Sequence, residues 1–205
     1  TELGVEDTIF ATSKNPAYNT PKDHKEDFST NPKCRQINPC KPELGKVSKH
    51  RLDEIISEVR EKSGLAQWQN TQQFLAWVYS QEDLDKSSFY QLDICEFYPN
   101  ITEALILKAI AHAEKYTHIS DEEKKLILHT SKSLLYHKGK AWVKKGKSLI
   151  DITMGGLDGA EKCDLVGLFL LSLLNTVDEI KASLYRDDGA ALTTLPPKEA
   201  ETQDC

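Results

Sequence analysis

The dipeptide Asp188-Gly189 stands between two apolar stretches near the end of the chain, and it constrains the fold more than any other feature. Asp-Gly between apolar flanks is a strong short-range signal for a tight antiparallel hairpin. The spacing predicts two short strands within 183–194, folded around Arg186-Asp187-Asp188-Gly189, with Asp187 and Asp188 at the tip. A further strand is expected over Ser88–Ile94, where aromatic and β-branched residues dominate and Asp93 lies near the end. Between and before these strands the period is helical. Leu52, Ile55, Ile56 and Val59 recur at helix spacing up to Gly64, and a second helix is expected after Asn70, with Phe74, Trp77 and Val78 on its buried side. Pro99-Asn100 reads as a turn, and Thr102 can cap a helix to about Lys115. Ser120 with Glu123 forms a capping box for a helix to about Leu135. Residues 137–150 read as a lysine-rich hairpin, and Met154–Ala160 as a Gly-rich turn into an apolar helix, Glu161–Ile180. Antiparallel strands with helices covering one face make an α+β fold.

Charge is unevenly spread along the 205 residues. Net charge is -6, yet between Lys14 and Arg51 nine basic residues face four acids, so that segment carries +5 and the rest -11. A positive front segment on an acidic body suits a phosphate-handling surface beside a metal-binding carboxylate cluster. Residues 1–43 are rich in Pro, Asn, Thr and Lys and read as extended chain, with short strands near Cys34–Ile37. The longest apolar run, Leu168–Leu174, is broken by Ser172, so no membrane span is expected. Five scattered cysteines without a C-x-x-C pair form neither a disulfide framework nor a zinc site, and an intracellular compartment, cytoplasmic or nuclear, is expected. The sequence begins at Thr1 and reads as part of a longer protein.

The chemistry points to the acids. Asp93 ends one β-element, and Asp187 and Asp188 sit on another. Three converging carboxylates repel one another unless a divalent cation neutralises them, and hard oxygen ligands suit Mg²⁺. Two such ions about 4 Å apart stabilise both the attacking and the leaving oxygen of an in-line phosphoryl displacement.

The residues around the acids make the chain similar to a known family. Leu184-Tyr185-Arg186-Asp187-Asp188-Gly189 resembles the Tyr-x-Asp-Asp hairpin of reverse transcriptases, and Tyr90–Ile101 resembles their first carboxylate motif, with Tyr98 as the aromatic five residues after the acid. Pro21-Lys22-Asp23-His24-Lys25 with Pro32-Lys33-Cys34-Arg35-Gln36-Ile37 resembles the fingers segment, and Met154–Ala160 occupies the place of the Gln-Gly-x-x-x-Ser-Pro block. The order of the four blocks is the family's own. The resemblance is closest to retroelement enzymes, near the Penelope-like and telomerase branch.

That resemblance implies an α+β polymerase palm over residues 88–205 and partial fingers over 1–87, with the family's thumb falling outside the sequence. It implies RNA-directed DNA polymerisation on an RNA template from a DNA or RNA primer with dNTP, and no membrane partner. Asp93, Asp187 and Asp188 would be catalytic. Together with the carbonyl of Ile94 they would hold two Mg²⁺ ions, with Mn²⁺ able to substitute. Lys33 and Arg35 would bind the triphosphate, Tyr98 would gate the sugar, and Gly155 would let the backbone approach the nascent pair. Lys22, Lys25, Lys144 and Lys145 are candidates for the nucleic-acid backbone. Met154 replaces the family's Gln, Gly159-Ala160 replaces Ser-Pro, and Arg186 is unusual at its position, so the family role of that position does not carry over. Two alternatives stay open: a non-catalytic or domesticated remnant that binds nucleic acid or a protein, and an RNA-dependent RNA polymerase on the same palm.

Overall fold

The computed structural model describes residues 16–23, 27–39, 43–82, 84–132, 135–138, 140–142, 152, 154–176 and 179–194. The fold is α+β, as expected. A two-stranded ribbon comes first, β1 (Tyr18–Pro21) with β2 (Cys34–Ile37), antiparallel. Helix α1 (Glu43–Ser63) buries Leu52, Ile55, Ile56 and Val59 along one stripe and stops at Gly64, whose φ of 67 ends it in the left-handed conformation. Helix α2 (Thr71–Tyr79) is capped by Asn70 as expected, but none of its residues is buried. Phe74, Trp77 and Val78 are only half-covered, and the two rings cluster with Trp68 instead of entering the core.

Strand β3 (Ser88–Asp93) leads through Glu96, left-handed at φ 47, into a single helical turn, α3 (Phe97–Asn100). The expected turn at Pro99-Asn100 is therefore helical, and Thr102 caps the next helix, α4 (Glu103–Ala113). Helix α5 (Asp121–Thr130) carries the full Ser120–Glu123 capping box and ends five residues earlier than expected. Strands β4 (Leu135–His137) and β5 (Lys140–Trp142) form a hairpin. The rest of the lysine-rich segment, with Lys144 and Lys145, lies outside the described residues, as does Lys25. Helix α6 (Gly159–Leu174) ends at Asn175, and the apolar pattern expected to extend it to Ile180 passes into strand β6 (Ile180–Tyr185), followed by β7 (Asp188–Thr193).

The main sheet has the order β3-β7-β6, all antiparallel. Residues 66–68 extend it beyond β6: Trp68 N donates to Leu184 O (2.8 Å) and Leu184 N to Ala66 O (3.1 Å). On one face Tyr90, Leu92, Ala182, Leu184 and Ala191 gather with Leu171 of α6. The larger core lies among α1, α4, α5 and α6 and includes Phe97, Ile110 and Leu168. Because side chains alternate along a strand, Phe89, Gln91 and Asp93 fall on the opposite sheet face, as do Asp188, Ala190 and Tyr185. No helix among the described residues is long and apolar enough to cross a membrane.

Candidate active site

The hairpin loop is Arg186-Asp187, closed by the Tyr185–Asp188 pair. The turn thus falls two residues earlier than an Asp188-Gly189 loop and one earlier than the expected tip at Asp187-Asp188, and Asp188 is the first residue of β7. Gly189 is required for a different reason. A Cβ there would lie 2.6 Å from Leu184 Cδ2 and 3.1 Å from the Ser183 carbonyl, so any side chain would have to displace the buried Leu184.

Strand register brings the acids together. Asp93 is directly opposite Asp188 across β3 and β7. Beyond that pair Ile94 N donates to Asp187 O at 2.9 Å, which makes Asp93–Asp188 the non-hydrogen-bonded kind of pair, whose side chains stand closest. Like charges in that position destabilise a sheet. The consequence is visible at Asp188, whose carboxyl is pushed above its ordinary value by burial and then by Asp187 and Asp93. A carboxyl with a raised pKa favours the fold while protonated, so its contribution is whole below the ordinary value of 3.8 and is lost as pH rises through the folded pKa. Asp188→Asn is therefore expected to melt at a higher temperature than the native chain at pH 7. The advantage should close as pH falls toward 3.8, which thermal melts across pH would read.

No three His, Cys, Asp or Glu side chains among the described residues form a ready-made metal cage. The donor chemistry nevertheless fits a hard divalent cation, because Mg²⁺ binds through one or two carboxylates and completes its shell with water and substrate phosphates. The backbone of Ile94, half-buried between both core clusters, is held against the loop by its bond to Asp187.

Behind the hairpin lies a polar cluster built on α6. Tyr98 is half-buried and hydrogen-bonded to the Cys163 thiol; burial, then Cys163, raises its pKa against the opposing charge of Arg186. Cys163 is fully buried, and burial pushes its thiol up. Phe97 is buried, while Tyr98 only borders the core. Arg60 donates to Gln67 Oε1 (2.9 Å) and reaches Asp164 (3.4 Å), and Gln67 Nε2 donates to the Asp164 carbonyl (2.7 Å). Lys49 pairs with Glu161. Deeper still, Lys162 is 1% exposed and sits 2.8 Å from Asp158 and 3.0 Å from Thr130 Oγ1, which itself donates to Asp158 at 2.6 Å. Sequence reading missed this α6 cluster. The Asp158–Lys162 spacing of four was its only local signal, and that spacing ordinarily marks a solvated pair.

Backbone contacts join the basic ribbon to the Met154 segment. Ile37 bridges Met154 in parallel, and Asn38 N donates to Met154 O at 2.8 Å. Gly155 adopts φ +100, and a Cβ there would lie 2.8 Å from the Asn38 carbonyl. The close approach that demands glycine is thus to Asn38, while the residue itself remains exposed. Gly155→Ala is expected to cost about 2 kcal/mol and loosen the ribbon, read by denaturation and by hydrogen exchange at Asn38. Lys33 and Arg35 are exposed, with Arg35 opposite Thr20, and neither makes a hydrogen bond or ion pair to the three acids. Lys22 is half-buried, and its amide closes the ribbon on Lys33 O at 2.8 Å.

No family model matches the chain, and no curated protein sequence matches it. A solved structure does. The chain is similar in fold to apo telomerase from Candida tropicalis truncated from its C-terminal domain, with a TM-score of 0.56, 14% identity and 72% of this chain covered. The likeness is one of fold. This chain matches about a third (34%) of that telomerase chain's length.

Proposed function

We propose that the chain is the acid-bearing part of an RNA-directed DNA polymerase, with residues 88–205 as palm and 1–87 as partial fingers. The observation that carries this reading is the register that sets Asp93 against Asp188 beside Asp187, at the exposed end of β3 and β7, in a fold similar to that of the telomerase structure. In the reaction a primer 3′-hydroxyl attacks the α-phosphate of a dNTP and pyrophosphate leaves. Two Mg²⁺ ions, held by Asp93, Asp187, Asp188 and the Ile94 carbonyl, would supply charge stabilisation for the attacking and leaving oxygens. Tyr98, braced from behind by Cys163, is suited to bear on the sugar of the incoming nucleotide. Arg35 and Lys33, a planar fork and a point charge, suit the triphosphate. Lys22, Lys25, Lys144 and Lys145 would follow the nucleic-acid backbone. Template and primer then belong to a retroelement-type or telomerase-type reaction. Primer extension on RNA and DNA templates with dNTP or rNTP tests the reading. Incorporation of dNTP on RNA, dependent on Mg²⁺ and on the acids, is expected. Preference for rNTP would favour RNA synthesis, and nucleic-acid binding without incorporation would favour a binding remnant.

A further inference from the structure

A second basic segment lies well beyond the front of the chain. Residues 131–150 carry six lysines and no acid, in a chain whose net charge is -6. The described part of that segment includes the β4–β5 hairpin, whose strands pair with each other and with no other described strand. His137 and Lys140 close the turn, and Lys138, at the first loop position, has φ 49, where asparagine or glycine is usual. Residues directly opposite across a ribbon share a face, as do residues two apart along a strand. Trp142, Lys140 and His137 therefore stand on one face, with Lys138 at the tip. All four are exposed, and Trp142 keeps 56% of its surface open. Trp68 and Trp77, by contrast, cluster with each other and with Phe74. An indole left open to water forgoes the burial that favours so large an apolar ring, unless a ligand covers it.

We propose that this face of the hairpin is a stacking platform for single-stranded nucleic acid, with Trp142 taking the face of an unpaired base and Lys138 and Lys140 the adjoining phosphates. Trp142 and Lys140 are about 7 Å apart along β5, so a base on the ring leaves its phosphate within reach of the lysine. Charge alone fits any polyanion, and the ring selects among them. In a duplex each base is covered by its neighbours, and an acidic peptide offers an indole no flat partner. An unpaired base of any sequence has an open π-face. The platform extends the nucleic-acid contact that the polymerase reading gives to Lys144 and Lys145, and it needs no chemistry at the acids.

The test uses the 205-residue chain, Trp142→Ala, Trp142→Phe and the double variant Lys138→Gln/Lys140→Gln. The replaced side chains are exposed, and thermal melts check that each variant folds. Oligothymidylate, oligouridylate, a DNA duplex of the same length and polyglutamate are titrated, reading anisotropy of a labelled ligand and quenching of Trp fluorescence by the unlabelled one. The native chain is expected to bind the single strands more tightly than the duplex or polyglutamate, with quenching. The thymidylate and uridylate arms separate DNA from RNA as the strand bound. Trp142→Ala should weaken single-strand binding about tenfold and remove the quenching while leaving the salt slope unchanged, and Trp142→Phe should keep most of the affinity. The lysine variant should reduce the salt slope by about 1.4 and keep the quenching. Single-strand binding and quenching unchanged in Trp142→Ala overturn the proposal. So does a lysine variant with the native slope, polyglutamate bound as tightly as either strand, or a native chain that binds neither strand. Absence of dNTP incorporation, measured separately, counts against the polymerase reading and leaves these outcomes as they stand.

Discussion

Replacing Lys162 with alanine is expected to destabilise the protein by about 3–5 kcal/mol, the usual cost of stripping one partner from a buried ion pair. Asp158 is 4% exposed, and without Lys162 its carboxylate keeps, among the described residues, the Thr130 hydroxyl. Thr130 closes α5 and its Oγ1 lies 3.2 Å from Ser48 Oγ on α1, so the change reaches three helices. Burial drags the Lys162 pKa down, and Asp158, as its ion-pair partner, favours the charged form. Against a typical total of about 5–15 kcal/mol, a loss of this size brings a chain at the low end of that range close to its unfolding threshold. Lys162→Met combined with Asp158→Asn should cost much less, because no charge is then left buried and Asn still meets Thr130. Urea denaturation of the three proteins measures this. A Lys162→Ala chain within 1 kcal/mol of native would mean that water reaches Asp158.

The same helix carries both a fully buried ion pair and two acids paired with cations of α1. Lys162 and Asp158 are buried together, whereas Glu161 pairs with Lys49 and Asp164 with Arg60. Weakening the buried pair should lower stability more than weakening the part-exposed pairs.

What the sequence makes legible follows from range. The stripe of α1, its stop at Gly64 and the caps at Asn70, Thr102 and Ser120 are local, and each lies where periodicity and capping chemistry put it. The convergence of Asp93 with Asp188 was legible through the motif order, and register supplies the contact. Misreadings arise where long-range packing imitates a local signal. Gly189 looks like a turn residue, but its lack of a side chain answers to Leu184 and Leu92, so the loop falls on Arg186-Asp187. The polar stretch Asn175-Thr176-Val177-Asp178-Glu179 separates Leu174, where α6 ends, from Ile180, where β6 begins, so a helix drawn to Ile180 gives too little weight to Asn175 as a C-terminal signal. Helix α2 has an apolar stripe that its neighbours leave partly open, with Tyr79 79% exposed. Lys162 carries no sequence mark of burial, because the hydroxyl that completes its site comes from Thr130, thirty-two residues away.

Asp187→Asn is expected to reduce Mg²⁺-dependent dNTP incorporation by at least about a hundredfold, the scale of losing a main electrostatic contact to the transition state. The substitution keeps the shape of the side chain, and the loop's hydrogen bond uses the Asp187 carbonyl, which asparagine retains. The backbone therefore has no reason to move. Stability should stay level or rise, because Asp187 is one of the two charges that push the Asp188 carboxyl up. Loss of function joined to unchanged or greater stability marks an acid kept for chemistry; an acid kept for structure would show the reverse. Template binding gives the remaining contrast. The +5 front segment should bind phosphates with an affinity that falls steeply with salt, and Asp187→Asn should leave that slope alone. If the native chain binds RNA and primer with that salt dependence yet incorporates nothing in any added-metal condition, and Asp187→Asn changes neither binding nor melting, the acids are not working as a catalytic set and the binding reading replaces the polymerase one.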